Sequence, residues 1–245
     1  MEEKQQPSDL FFDLDCTLWD FDRNSREALK EIFEELAIPV LPKSITARDF
    51  IAVYEVENEK CWRLYREGKL TQSELRPLRF TRSMEGLGIP VFDGMETLAE
   101  AMGEAYVQRA PYRTALILDA IEVVRTLRER GHRMYILTNG FEEVQHIKMK
   151  NSGLEPFFDA VFTSDALGFK KPNPETFNQC LIRTDSQPSH AVMIGDDLEC
   201  DVVGALNCGW RQVHFNPHGV RHGQQIWRTV TTLKALLDLP LMNPQ

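Results

Sequence analysis

Short, unbroken apolar runs occur near the start of the chain, at residues 10–12, and again in its second half. Segments in which apolar residues recur at helical spacing separate the later runs, and glycines follow several of the expected helix ends. The later runs are 134–137, 160–162 and 191–194, and a last strand is expected at 212–215. The main helices before, between and after these strands are expected at 117–127, 142–152, from Asn173, 198–208 and 231–237. Strands covered on both faces give continuous apolar runs of this kind. The pattern therefore predicts an α/β fold, a parallel sheet with helices on both faces.

The stretch between the first strand and the later ones has a different pattern. Apolar residues such as Leu29 and Ile32 recur there at spacings of three and four, with prolines and glycines between the helical segments. Helices are expected near residues 29–36, 52–64 and 98–106. We therefore predict two domains: an α/β core of residues 1–18 and 113–245, and a helical insert of residues 19–112.

Composition narrows the classes of partner. The 245 residues carry a formal net charge of −9, which argues against a nucleic acid polymer because phosphate backbones require basic surfaces. No apolar run approaches the roughly 20 residues that span a bilayer, so no membrane partner is expected. Five cysteines without a CxxC spacing indicate reduced thiols and predict a cytoplasmic protein.

Polar residues follow several of the predicted strands. In a parallel sheet the ligand site lies beyond the carboxyl ends of the strands, so these residues are expected on one rim. The groups are Asp13, Asp15 and Thr17 after the first strand, Thr138, Asn139 and Gly140 after the second, Lys171 in a later loop, and Asp196, Asp197 and Asp201 after the fourth. Their convergence predicts the catalytic site.

These residue types suit transfer of a phosphoryl group. Mg²⁺ prefers oxygen ligands, and the carboxylates of Asp13 and Asp196 with the backbone carbonyl of Asp15 are expected to hold it. Asp13 then attacks phosphorus and forms an aspartyl-phosphate. Asp15, two residues on, is placed to protonate the leaving alkoxide and later to accept a proton from water.

The remaining polar groups are expected to bind phosphate or to support the site. Thr138 and the backbone N–H groups of Asn139 and Gly140 suit the phosphoryl oxygens. Lys171, which we prefer to Lys170 because it directly precedes a proline, supplies positive charge. Three further residues are expected just behind the metal ligands, with Asp201 orienting them or binding the lysine: Thr17, Asp197 and Asp201.

Four segments together resemble the motifs of the haloacid dehalogenase superfamily. They are the segment around Asp13 and Asp15, the segment Thr138-Asn139-Gly140, the segment Lys171-Pro172-Asn173-Pro174, and a segment that begins with Gly195-Asp196-Asp197 and extends to Asp201. The resemblance implies a Rossmann-like core with a five-stranded sheet, Mg²⁺ as cofactor and a helical-bundle cap inserted after the first motif. The helical insert matches that cap.

Further segments resemble the pyrimidine 5′-nucleotidase branch of this superfamily. They are Trp19-Asp20-Phe21, the residues from Thr138 to Gln145, and those from His214 to Gly219. The resemblance implies a phosphatase for a small phosphorylated metabolite, with nucleoside 5′-monophosphates favoured. A phosphatase for sugar phosphates or other small metabolites, a phosphomutase, and a non-catalytic binding protein on the same fold stay open as alternatives.

Overall fold

The computed structural model describes residues 8–241. Backbone contacts separate two compact units. The helical unit is Asp22–Arg113, and the α/β unit contains the described residues up to Phe21 and from Thr114 onward. Their assignment as cap and catalytic core stays a prediction.

The helical unit contains four α-helices among the described residues. They are α1 (Phe21–Ile32, continued by a π-helix at Phe33–Ala37), α2 (Ala47–Arg66), α3 (Gln72–Gly86) and α4 (Met95–Arg109). Capping boxes begin two of them: Thr46 caps α2 with Asp49, and Thr71 caps α3 with Glu74. Each box satisfies backbone N–H groups that the first helical turn leaves unbonded.

The sequence patterns had indicated three helices here, and α3 was not among them. Pro77 lies inside α3, although proline normally ends or kinks a helix. On α4, Gly103 lies close to that region, since a Cβ there would stand 3.1 Å from the backbone oxygen of Arg76. Packing of α3 against its neighbours therefore outweighs the local signal of the proline.

The α/β unit is built on a parallel sheet of six strands in the order β3-β2-β1-β4-β5-β6. The strands are β1 (Asp9–Phe12), β2 (Arg133–Thr138), β3 (Ala160–Thr163), β4 (Ala191–Gly195), β5 (Arg211–Phe215) and β6 (Arg228–Val230). The predicted parallel α/β fold is confirmed. The sheet has one strand more than the five that the resemblance implied, because the short edge strand β6 joins β5.

Helices cover both faces of this sheet. They are α5 (Ala120–Glu129), α6 (Glu142–Asn151), α7 (Ser164–Leu167), α8 (Pro174–Thr184) and α9 (Gly204–Asn207). Phe12 packs in a cluster with Val124 of α5, whereas its neighbour Phe11 packs in another cluster with Phe177 of α8. Alternate residues of a strand point to opposite faces, so each face has its own core.

Two predicted helices differ from the structure. The segment expected as one helix at 198–208 is a π-helix, Leu198–Val203, followed by α9. The closing helix expected at 231–237 is a 3₁₀-helix, Leu233–Asp238. Hydrophobic spacing identifies such segments as helical but does not distinguish these hydrogen-bond patterns. No helix within residues 8–241 has the length and apolar character needed to cross a membrane.

Candidate active site

The three central strands bring the predicted acids together. Strand β1 lies between β2 and β4, with Phe12 paired with Ile136 on one side and with Ile194 on the other. Asp13 follows β1 directly, and its backbone N–H donates to the carbonyl oxygen of Ile194 at 2.8 Å. The carboxyl ends of these strands thus form one rim, with Asp13 at its centre.

Lys171 joins two of the acids at this rim. Its Nζ donates to Oδ1 of Asp13 at 2.6 Å, to Oδ1 of Asp201 at 2.5 Å and to the backbone oxygen of Leu137 at 2.7 Å. The side chain is only 2% exposed. Burial alone lowers the pKa of a lysine, but the charges of Asp13 and Asp201 outweigh it and hold the pKa of Lys171 above its usual value. Lys171 therefore carries a fixed positive charge against Asp13.

Asp13, Asp196 and Asp201 form a carboxylate cluster. One oxygen from each lies within 4.8 Å of the others. Burial is the main cause that raises the pKa of each of the three to about 7, and repulsion between neighbouring acids adds to it. For Asp13 and Asp201 the charge of Lys171 acts in the opposite direction. Three buried carboxylates with one lysine lack positive charge, which fits a divalent cation with oxygen ligands.

A tight turn after β1 brings Thr17 back to the cluster. The backbone N–H of Trp19 donates to the oxygen of Leu14, and that of Cys16 donates to the oxygen of Trp19. The hydroxyl of Thr17 donates to Oδ1 of Asp196 at 3.0 Å and accepts from the backbone N–H of Asp196 at 3.1 Å. Thr17 is fully buried and fixes the orientation of the Asp196 carboxylate.

Asp197 and Asp201 have separate contacts in the next turn. Oδ1 of Asp197 accepts from the backbone N–H groups of Glu199 and Cys200 and caps the π-helix. Its own N–H donates to Oδ2 of Asp201 at 3.1 Å. Gly195 leaves the space for Asp201, because a Cβ at that glycine would lie 2.1 Å from Oδ2 of Asp201. Asp201 is thus held from both sides, by Lys171 and by this turn.

The segment after β2 supports Lys171 as well as the rim. The side chain of Asn139 donates to the backbone oxygen of Lys171 at 2.9 Å and accepts from its N–H at 2.8 Å. The N–H of Gly140 donates to Oγ1 of Thr138 at 3.0 Å, and its predicted role in phosphate binding stays a prediction. Oγ1 of Thr138 also accepts from Gln145, so its own O–H can still donate to a ligand.

Asp15 contacts two residues that the sequence analysis did not include in the site. Nζ of Lys148 donates to Oδ1 of Asp15 at 2.6 Å and to Oδ2 at 2.9 Å, and Nε2 of Gln145 donates to Oδ2 at 2.9 Å. Both residues lie on α6, three positions apart, and therefore share one face of the helix. That spacing was the available signal, but it did not reveal which face meets Asp15.

The structure thus gathers all of the predicted site residues in one region of the α/β unit. Asp13, Asp196, Asp201 and Lys171 form its charged centre, and Thr17, Asp197 and Asn139 hold these groups in place. Asp15 is close enough for its charge to raise the pKa of Asp13. The use of the Asp15 backbone carbonyl as a metal ligand stays a prediction.

A sequence profile of the haloacid dehalogenase-like hydrolases matches residues 10–209, which is most of the chain. The chain belongs to the haloacid dehalogenase-like hydrolases. The predicted resemblance to that superfamily, and the hydrolase class that follows from it, are confirmed.

Three relatives illustrate the range of this family. This haloacid dehalogenase-like hydrolase is 31% identical to the HAD-hydrolase YfnB of Bacillus subtilis, over 85% of this chain and 83% of YfnB. Identity to the pyrimidine 5′-nucleotidase YjjG of Escherichia coli is 29%, over 94% of this chain and 96% of YjjG. Identity to the ribulose-1,5-bisphosphate 5-phosphatase of Halopiger xanaduensis is 32%, over 85% and 84% of the two chains.

A crystal structure of YfnB bound to magnesium resembles this haloacid dehalogenase-like hydrolase along nearly its whole length. The TM-score is 0.82 at 28% identity, covering 96% of this chain and 98% of that one. The magnesium belongs to YfnB, while the chain described here contributes the carboxylate cluster that suits such an ion.

Proposed function

We propose that this protein is a magnesium-dependent phosphatase that hydrolyses phosphate monoesters through an aspartyl-phosphate at Asp13, with nucleoside 5′-monophosphates as the favoured substrates. The observation that supports it most is the ion pair of Asp13 with the buried Lys171, beside the acids Asp196 and Asp201. A buried carboxylate nucleophile suits attack on a phosphate dianion when a fixed positive charge lies beside it and neighbouring acids can hold a divalent cation.

In the first step Asp13 attacks phosphorus. A bond forms between a carboxylate oxygen of Asp13 and phosphorus, while the bond from phosphorus to the ester oxygen breaks. Asp15 gives its proton to the departing oxygen, so the alcohol leaves neutral and Asp15 becomes a carboxylate. Lys171 stays in contact with Asp13 and offsets the negative charge that gathers around the transferred group.

In the second step water replaces Asp13 on phosphorus. Asp15, now ionised, accepts a proton from the attacking water. The bond between the Asp13 oxygen and phosphorus breaks, which releases inorganic phosphate and restores the Asp13 carboxylate. The free O–H of Thr138 and the ammonium of Lys171 suit the phosphoryl oxygens in both steps.

Mg²⁺ would be held by the carboxylates of Asp13 and Asp196, with the backbone carbonyl of Asp15 as a further ligand and Asp201 beside them. When bound, the ion supplies positive charge that lets an anionic nucleophile approach an anionic substrate. The raised pKa values of the three carboxylates support this assignment, because buried acids that lack a cation favour their protonated forms.

The substrate preference rests on relatives that cover most of the chain. YjjG, a pyrimidine 5′-nucleotidase, aligns with 94% of it, and the sequence segments after Asp15 and Thr138 resemble the same branch. The ribulose-1,5-bisphosphate 5-phosphatase is slightly more identical over a shorter alignment. That relative keeps a sugar-phosphate phosphatase as the second candidate function.

Phosphate release tests the proposal. Purified protein with Mg²⁺ should release phosphate from p-nitrophenyl phosphate, and EDTA should stop it. Asp13→Asn should lower the rate by at least about 10³-fold, because it removes the nucleophile. Asp238→Asn, the same change at an exposed acid near the end of the described chain, is the control and should leave the rate unchanged. Release that survives in Asp13→Asn would contradict the mechanism.

A substrate panel tests the preference separately. The kcat/KM values for nucleoside 5′-monophosphates and for sugar phosphates are compared under the same conditions, with Mg²⁺ present. We expect the nucleotides to have the higher values. Sugar phosphates that exceed them by tenfold or more, roughly 1.4 kcal/mol in transition-state binding, would replace the nucleotidase proposal with the second candidate.

A further inference from the structure

Helix α6 grips the carboxylate of Asp15 with two side chains. Lys148 donates to both of its oxygens, at 2.6 and 2.9 Å, and Gln145 donates to one of them at 2.9 Å. The same Nε2 atom of Gln145 also lies 3.0 Å from Oγ1 of Thr138. A continuous set of hydrogen bonds therefore runs from Lys148 through Asp15 and Gln145 to Thr138.

Lys148 is not an ordinary surface lysine. Lys148 is only 5% exposed, whereas lysines are rarely buried unless they form an ion pair. In the described part of the chain, Asp15 supplies the one carboxylate within ion-pair distance of Lys148. Nζ also lies 4.4 Å from the centre of the Trp19 ring and 5.8 Å from that of Phe21, which favours a cation in this position.

We propose that Lys148 is a positioning residue for Asp15 in the transfer of a proton to the leaving group. The inference rests on the proposed phosphatase function. Lys148 and Gln145 fix the direction of the Asp15 side chain, and proton transfer requires that direction because donor and acceptor must come within hydrogen-bond distance. When Asp15 loses its proton to the departing oxygen, Lys148 is the adjacent positive charge that stabilises the carboxylate.

The chemistry of the leaving group separates this role from a structural one. An alkoxide such as the 5′-oxygen of a nucleoside leaves poorly without a proton, whereas p-nitrophenolate leaves readily as an anion. The value of kcat/KM reports the steps up to the first irreversible one, here the departure of the leaving group. The later hydrolysis of the aspartyl-phosphate, common to both substrates, does not enter it.

The experiment compares Lys148→Met with wild type on two substrates, the best alkyl phosphate of the substrate panel and p-nitrophenyl phosphate. Methionine keeps an unbranched side chain and removes the charge. We expect kcat/KM for the alkyl phosphate to fall by about 10- to 100-fold, part of what a general acid contributes. For p-nitrophenyl phosphate we expect a fall of less than about twofold, since departure of that anion does not depend on the general acid.

Two further variants complete the test. Lys148→Arg should recover most of the alkyl-phosphate activity, because a guanidinium can donate to both carboxylate oxygens and stack on Trp19. Lys150→Met, the same change at an exposed position of α6, should match wild type on both substrates.

The outcomes distinguish the inference from the function on which it rests. An equal fall on both substrates in Lys148→Met, whether from misfolding or from a general disturbance of the site, would overturn the positioning role and leave the phosphatase proposal intact. An unchanged alkyl-phosphate value would overturn it too. Wild-type protein that releases phosphate from neither substrate would overturn the proposed function and this inference together.

Discussion

Each unit of the molecule buries at least one cation, and two of them, Lys171 and Arg79, have very different surroundings. In the α/β unit, Lys171 contacts two carboxylates and a backbone oxygen. In the helical unit, Arg79 is 3% exposed, and within the described residues it has no carboxylate at ion-pair distance. Its guanidinium donates to Oδ1 of Asn58 at 3.1 Å. A buried charge must be compensated. Carboxylates compensate Lys171, whereas an uncharged amide oxygen contacts Arg79.

Aromatic rings take the place of the counter-ion around Arg79. Its guanidinium carbon lies 5.0 Å from the ring centre of Tyr106 and 5.8 Å from those of Tyr54 and Phe80. These rings attract a cation, but they carry no net negative charge, unlike the carboxylates around Lys171. Nε of Arg79 has no hydrogen-bond partner among the described residues. This arrangement packs a core, whereas the arrangement at Lys171 changes the charge state of its neighbours.

The carboxyl groups with strongly raised pKa values lie near Lys171, in the α/β unit. Asp13, Asp196 and Asp201 have pKa values raised to about 7, and no residue between 8 and 241 supplies Arg79 with a carboxylate at ion-pair distance. Strongly perturbed acids beside a fixed cation are typical of catalytic sites. The charge of Arg79 lies among packed aromatic rings. Its removal should therefore affect the stability of the helical unit, whereas removal of the charge of Lys171 should affect catalysis as well.

Lys171→Met should cause the largest effect. It leaves Asp13 and Asp201 without their cation, so phosphate release should fall by at least about 10³-fold. Breaking a buried ion pair by removing one partner costs about 3–5 kcal/mol, and we expect a loss of this order in the free energy of unfolding at pH 8. Rates on p-nitrophenyl phosphate and urea unfolding, both at pH 8, measure the two quantities.

The neighbouring lysine offers a matched control. Lys170→Met makes the same chemical change one residue earlier, at a position that is partly exposed. It should change the rate by less than about twofold and the free energy of unfolding by less than about 0.5 kcal/mol. Equal losses in the two variants would mean that the loop, and not the ion pair of Lys171, is what the site requires.

An intermediate effect is expected from pH and Mg²⁺. In the metal-free protein the pKa values of the three acids are raised to about 7, whereas in the unfolded chain an aspartate has a pKa near 3.9. The folded state therefore binds more protons between these values, and the contribution of the acids to stability falls as the pH rises from about 4 to about 7. Lys171, charged in both states over this range, adds no slope.

The difference in Tm between Mg²⁺ and EDTA isolates this effect. The lowered pKa values of His132 and His214, caused mainly by burial, give an opposite slope, so the absolute Tm is less informative. Binding of Mg²⁺ competes with protons on the acids, and the gain in Tm should be several degrees at pH 8 and small at pH 5. Asp196→Asn should reduce the gain at pH 8. A gain of equal size at both pH values would contradict the assignment.

Much of the α/β fold could be predicted because strands β1 to β4 contain unbroken apolar runs. Strand β6 lacks that signal, since Arg228 and Thr229 are exposed and Val230 alone is buried. Helix α3 was missed because Pro77 resembled a stop signal, and only tertiary packing retains it. A hydrophobic pattern indicates how far a single element is buried. Strand β6 and helix α3 depend instead on the elements that pack beside them.

The candidate site shows the same division. Asp13, Lys171 and Asp196 could be proposed from the sequence because topology brings the ends of parallel strands to one rim. Lys148 could not, because a lysine on an amphipathic helix normally faces water and nothing local indicates its contact with Asp15. Arg79 was overlooked in the same way, since its aromatic neighbours come from three helices of the helical unit.

The smallest effect should come from Arg79→Met, which completes the comparison with Lys171→Met. Methionine fills much of the same volume without charge, and apolar replacement of a buried ion is often neutral or stabilising. We expect the free energy of unfolding to change by less than about 1.5 kcal/mol, whereas Arg79→Ala, which leaves a cavity, should cost about 2–4 kcal/mol. Urea unfolding followed by circular dichroism measures both. A loss in Arg79→Met as large as that in Arg79→Ala would show that the charge among the rings, and not the volume of the side chain, stabilises the helical unit.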